Sequence, residues 1–119
     1  LRFADILLIY AEAANMANGG PTQSAVDRLN MIIDRANEGT GTEARASMAM
    51  TKEAFDQKVI DERSFELCFE NDRYFDVLRK KILKDVNLPD NAEGYDDNDY
   101  LLPIPALDAK AIGQNPGYE

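Results

Sequence analysis

Histidine is absent from the 119 residues and cysteine occurs once, at Cys68. These two absences remove every histidine-dependent triad, histidine-ligated metals, paired-cysteine zinc sites and intrachain disulfides. With no imidazole to activate its thiol, Cys68 in the run Glu66-Leu67-Cys68-Phe69 is expected to be a small buried hydrophobe. A basic excess is missing as well. The 13 Lys and Arg against 22 Asp and Glu leave a formal charge of -9, so nothing is available to displace counterions from a phosphate backbone, and nucleic acid is excluded as a partner. The chain has no apolar run of the roughly 18 residues needed to cross a bilayer, and no basic region followed by an apolar leader. It starts at Leu1 within an amphipathic pattern, so these residues are expected to belong to something longer.

What is present is helical period. Residues 2–18 are apolar nearly all round, with Arg2, Asp5, Glu12 and Asn15 forming one narrow polar stripe, and this predicts a mostly buried helix. Gly19-Gly20-Pro21 ends it. Thr22 or Ser24 caps a second helix over 23–37, in which Ala25, Leu29, Ile32, Ile33 and Ala36 recur at helical spacing. Residues 38–50, with Gly39-Thr40-Gly41-Thr42, have no apolar period and read as a plain loop, or else as a binding insertion. Thr51 caps a long helix over 52–70 carrying Phe55, Val59, Ile60, Leu67 and Phe69. Asn71 suits a left-handed corner before a short helix over 73–81, with Tyr74, Phe75, Val77 and Leu78 inside. Residues 84–99 are polar turn material. In the tail, 100–119, the twin prolines of Tyr100-Leu101-Leu102-Pro103-Ile104-Pro105 enforce an extended path before one or two helical turns over Ala106–Ile112.

The fold class is therefore mainly α: two antiparallel helical hairpins of a tetratricopeptide-like α-α superhelix, with long loops and an extended C-terminal tail. Ala11 and Ala13 in the first helix and Ala25 and Leu29 in the second carry the tetratricopeptide flavour. The two pairs start about 50 residues apart instead of the ~34 of a regular array.

The charged set Glu62, Arg63, Glu66, Glu70, Arg73, Asp76 and Arg79 is the main candidate constellation. Glu62, Glu66 and Glu70 recur every four residues and repel one another by a few tenths of a kcal/mol, so cations must neutralise them. Arg73 and Arg79, folded back by the 70–73 corner, are expected to form bidentate pairs with Glu66 and Glu70 in a structural ion network. A hydrolase reading would need paired carboxyls in a cleft. Glu93, Asp96, Asp97 and Asp99 lack calcium-loop spacing and read as a solvated loop. Within it Tyr95 is the candidate to stack on a sugar face, whereas Tyr100 is expected to pack with Leu101 and Ile104. No metal site, cofactor or catalytic residue is predicted.

Four stretches resemble one family. Leu1-Arg2-Phe3-Ala4-Asp5-Ile6-Leu7-Leu8-Ile9-Tyr10-Ala11-Glu12-Ala13, Leu29-Asn30 with Arg35-Ala36, and the run from Asp61 to Arg79 are similar in order and spacing to motifs of the SusD/RagB family of outer-membrane nutrient-binding lipoproteins. The ending Tyr100-Leu101-Leu102-Pro103-Ile104-Pro105 with Gln114-Asn115-Pro116-Gly117-Tyr118 resembles that family's closing motif. Ile33 and Asn37 stand where the family often has Arg and Gly, Asn71 replaces a common Gly, and Lys110-Ala111 replaces a frequent Asn-Pro. The resemblance implies that residues 1–119 are the C-terminal helical segment of a larger protein displayed on the outer membrane, its lipid anchor lying upstream. It also implies capture of a glycan or other nutrient for a SusC-like TonB-dependent transporter, binding rather than catalysis, and a ligand platform built mainly upstream of this segment. The rival reading is a free-standing helical-repeat adaptor that clamps a peptide.

Overall fold

A computed structural model describes residues 1–38, 41–86 and 97–118. Helix is the regular secondary structure among them, and the chain divides into two compact units, Leu1–Arg73 and Tyr74–Glu119.

The first unit is built on α1 (Phe3–Asn18), α2 (Gln23–Asn37) and α3 (Lys52–Glu66). Gly19 stops α1 in the left-handed conformation, at φ 69°, which a residue without Cβ adopts freely. Thr22 and Thr51 cap α2 and α3 by accepting from the Ala25 and Ala54 amides, as the sequence predicts. Tyr10 and Ser24 share a hydrogen bond of 3.0 Å, while Phe3 at the start of α1 and Met31 near the end of α2 line one groove. The two helices therefore run antiparallel, the helical hairpin expected of a tetratricopeptide-like fold. At opposite ends of α3, Lys52 O accepts from Asn15 and Arg63 donates to Asp5, so α3 is also antiparallel to α1. Leu8, Ala11, Ala25, Leu29, Ile33, Phe55 and Val59 fill the space between these helices with no exposed surface. At about 25 cal/mol per Å² of apolar area removed from water, these contacts dominate the stability of the unit.

The polar stripe of α1 faces inward. Asn15 is fully buried and Asp5 pairs with Arg63, whereas Phe3, Ile6, Ile9, Tyr10 and Met16 are exposed. The expectation of a mostly buried helix is corrected accordingly: α2 and α3 cover one side of α1 and its other apolar side is open. Ala36 is also exposed, in the last turn of α2.

The segment between α2 and α3 is not a plain loop. Residues 41–51 run back along α2 as a strap held by asparagine carboxamides. Asn37 donates to Glu43 O and accepts from Glu43 N. Asn30 does the same with Ala46, at 3.0 and 2.8 Å. Each carboxamide supplies the donor and acceptor that a neighbouring strand would otherwise offer. Gly41 passes so close to α2 that a Cβ there would sit 2.6 Å from the Asn37 Cα.

Helix α3 stops at Glu66, four residues short of the expected end. Residues 67–71 form a corner in which Phe69 and Asn71 both take positive φ, at 64° and 67°. Asn71 is the substitute for glycine that the sequence predicts there; the left-handed phenylalanine has no such signal. The corner turns Phe69 fully outward and leaves Cys68 exposed, so the expected burial of both is corrected.

α4 (Asp72–Lys80) leads into the second unit. Its inward positions are Asp76 and Val77, while Tyr74 and Phe75 lie exposed, edge to face at 5.6 Å. This corrects the expected inward aromatics: an ion pair, Asp76 Oδ1 to Arg79 Nη2 at 2.7 Å, occupies part of the buried stripe. Residues 83–86 are helical, and Tyr100 accepts from the Leu83 amide through its hydroxyl. After a short 3₁₀ turn, Asp97–Tyr100, the tail runs without helix to α5 (Ala106–Ile112). Gln114 then donates to Ile104 O and accepts from Ile104 N, Asn115 donates to Leu102 O, and Tyr118 donates to Leu101 O. The tail closes on itself around α5. The expected helices over 52–70 and 73–81 thus become Lys52–Glu66 and Asp72–Lys80, joined by a corner.

Candidate functional site

The charged constellation lies where α3 meets α1 and the corner. Glu66 is its centre, with a side chain 11% exposed. Arg2 Nη1 donates to Glu66 Oε1 at 2.8 Å, Arg2 Nη2 donates to Glu66 O, and Arg35 pairs with Glu66 Oε2. The same Arg2 guanidinium forks onto Glu70, with Nε and Nη2 at 3.0 and 2.6 Å from its two oxygens. Ending α3 at Glu66 makes this possible, because the corner brings Glu70 round to the cation instead of leaving it one turn above Glu66 in a repulsive stack.

The cations that neutralise these carboxylates are therefore Arg2 and Arg35, from α1 and α2. The expected pairing with Arg73 and Arg79 is corrected. Arg73 donates to Ile60 O, and Arg79 forks onto Asp76 through Nε and Nη2. Arg63, 7% exposed, bonds Asp5 at 2.9 Å. Sequence period places charges on a face but does not say which distant helix supplies the partner. The resemblance at Leu1-Arg2 and Arg35-Ala36 was the signal that could have done so.

Glu62 and Glu66 lie one turn apart on α3 and are pushed in opposite directions. Burial works against ionisation of Glu66, yet the hydrogen bonds from Arg35 and Arg2 outweigh it and hold its carboxyl below the ordinary value. Hydrogen bonds to Glu70 and then Glu66 raise the Arg2 guanidinium in turn. Glu62 goes up, to about 7, first because it is buried and next because of the Glu43 charge, with Lys58 partly offsetting both. A pair of carboxyls driven apart in this way resembles an acid–base couple. Glu62, however, is 2% exposed, and both Glu66 oxygens are occupied by guanidinium groups. Neither lines the grooves that border α1 and α2.

The exposed side of α1 next to α2 is largely apolar. Phe3, Ile6, Leu7, Tyr10, Arg28 and Met31 line a groove of about 570 Å³ between α1 and α2, with the Arg28 guanidinium 5.9 Å from the Tyr10 ring centroid. Among the described residues no group of His, Cys, Asp or Glu could hold a metal ion, and no helix is long and apolar enough to cross a membrane. Tyr95, Glu93 and Asp96 lie outside the described residues.

Comparison with known proteins places this arrangement. The family model described as SusD family (SusD_RagB) matches residues 1–118. The SusD-like protein P2 of Formosa agariphila is 34% identical over 99% of this chain and 25% of its own length. The SusD-like protein P25 of the same organism is 35% identical over 71% of this chain and 15% of its own length. A SusD homolog from Bacteroides thetaiotaomicron superposes with a TM-score of 0.81 at 28% identity, covering 99% of this chain and 26% of that structure. A SusD superfamily protein from Parabacteroides distasonis gives 0.73 at 32% identity, covering 98% and 26%. The chain thus spans a quarter or less of the length of these curated relatives.

Proposed function

The chain belongs to the SusD family, and on that premise we propose that it is the scaffold portion of an outer-membrane protein that captures a glycan and delivers it to a SusC-like TonB-dependent transporter. The family match over residues 1–118 carries this reading. The chemistry of the segment supports a supporting part in that task. Glu66 is committed to guanidiniums, Asn30 and Gln114 are committed to backbone, and the groove between α1 and α2 is lined mainly by apolar side chains rather than by the hydrogen-bonding groups that orient a sugar.

In this proposal the exposed side of α1, with Phe3, Ile6, Tyr10 and Met31 around the groove, packs against helices from the rest of the longer protein. Stacking of neighbouring pairs is how a helical array buries faces that one pair cannot. The role is binding, with no catalytic residue and no cofactor, and the lipid anchor lies outside these residues. Tyr95 remains the candidate in this segment for a sugar contact.

Calorimetric titration of the full-length protein with oligosaccharide pools tests the reading. Saturable binding is expected, with Tyr95→Ala altering affinity by less than the loss of aromatic residues elsewhere in the protein. Hydrolysis of the oligosaccharide, or the absence of both saccharide binding and transporter co-purification, would overturn it.

A further inference from the structure

The strap meets α3 through a cluster of side chains that plays no part in the proposed delivery of glycan. Lys58 Nζ lies 2.9 Å from Glu43 Oε1, and Glu62 stands one turn beyond Lys58 on the same side of α3, so the Glu43 and Glu62 carboxyls are neighbours. Glu62 is 2% exposed, and its Oε2 is buried with no hydrogen-bond partner. An ionised carboxylate has no hydrogen to donate, so two carboxyls share a hydrogen bond only when one retains a proton. The buried member is the one for which ionisation costs more, since its charge would be removed from water with an oxygen left unpaired.

The charges around Glu62 favour the same assignment. From the strap comes Glu43, and from α3 itself come Lys58 and Glu66. The Lys58 ammonium is bonded to Glu43 at 2.9 Å, so the cation nearest Glu62 is already engaged by the strap. On α1, Asp5 is paired with Arg63, and on α2, Asp34 is paired with Arg45 and Arg35 with Glu66. Those cations are engaged with other carboxylates.

We propose that Glu62 and Glu43 form a proton-shared clasp, which fastens the strap to α3 while Glu62 holds its proton and loosens the strap when that proton passes to water. The carboxyl of Glu62 loses its O–H bond in that step, and two carboxylates are left facing each other beside one ammonium. The clasp is a pH-sensitive element between strap and helix, distinct from the cluster of Arg2, Arg35, Glu66 and Glu70, whose charges are balanced. Its direction follows from Glu62 being raised from 4.5 to about 7. The proton-dependent fastening is fully present below the ordinary carboxylate value and is lost as pH climbs through about 7.

Hydrogen exchange of the full-length protein, read by mass spectrometry on peptides covering 41–51 and 23–37, tests it between pH 5.5 and 8.5. After correction for intrinsic exchange, protection of the strap should fall about tenfold between pH 6 and 8, while α2 stays unchanged. Glu62→Gln, whose amide supplies a permanent donor to Glu43, should keep the strap protected at all pH values. Glu43→Gln, made on the strap and not in the core, should move the midpoint down toward the ordinary carboxylate range. A flat profile in the unaltered protein, a slope that survives Glu62→Gln, or a midpoint indifferent to Glu43→Gln would each overturn the proposal.

Discussion

Arg63 Nη1 lies 2.9 Å from Asp5 Oδ1, an ion pair that joins the last turn of α3 to the first turn of α1 with both side chains largely withdrawn from solvent. Removing one member of such a pair takes compensation away from the other charge in a low-dielectric setting. Asp5→Ala should therefore cost about 3 kcal/mol, at the lower end of what breaking a buried pair costs, and lower the midpoint of thermal unfolding. Replacing Glu53, an exposed carboxylate on the same α3, serves as the comparison, and an equal loss there would contradict the special weight given to Asp5.

Asn30 holds the strap through both atoms of its carboxamide, so substituting it tests whether the strap is structural. Asn30→Ala removes two hydrogen bonds to Ala46 inside a buried site and leaves both backbone groups unsatisfied. The expected loss is about 2 kcal/mol, with proteolytic cleavage appearing first within 41–51. Asn30→Asp keeps an acceptor for the Ala46 amide but sets a carboxylate against the Ala46 carbonyl, and should be no better than alanine.

Glu66 gives the protein an acid limb of stability. Its carboxyl is held below the ordinary value of 4.5, so its contribution is present above that value and is lost as pH falls through the lowered one. Urea unfolding between pH 3 and 6 should show this slope, and Glu66→Gln should flatten it while costing about 2 kcal/mol at neutral pH, discounted for the half-exposed guanidiniums. Glu62 has the opposite sign, so stability contributed by this face of α3 falls off on both sides of mildly acid pH.

Gln114 performs in the tail the task that Asn30 performs in the strap. Gln114→Ala should release the bonds to Ile104 N and O and the Asn115 amide, freeing residues 113–118 to rapid hydrogen exchange while α2 remains protected. Unchanged exchange in the tail would show that Asn115 and Tyr118 close it unaided.

The helices and their caps were legible because they are local. Thr22, Thr51 and Gly19 act within one turn of themselves, and the apolar period of α2 needs no distant partner to be recognised. The Pro-locked tail with one short helix was legible for the same reason. What escaped was pairing across the chain. Arg2 reaches Glu66 over 64 residues and Asn15 reaches Lys52 O over 37, and a residue's spacing along its own helix says nothing of such a partner. The inward turn of the α1 polar stripe was missed likewise, because Asp5 and Asn15 look like solvent residues until Arg63 and the α3 terminus are placed against them. Phe69 escaped for a different reason: only the corner's backbone, not the residue type, calls for a left-handed conformation there.

The carboxamide clamps of Asn30 and Asn37 recognise main-chain atoms of the strap and ignore what those residues carry. Its course over the helices is thereby separated from most of its composition. Thr42, Ala44, Ser47 and Met48 point outward at exposed positions and can be rewritten one by one while the ribbon stays moored. A helical unit that carries such a rewritable band offers lineages a place to change its outward face without renegotiating its core.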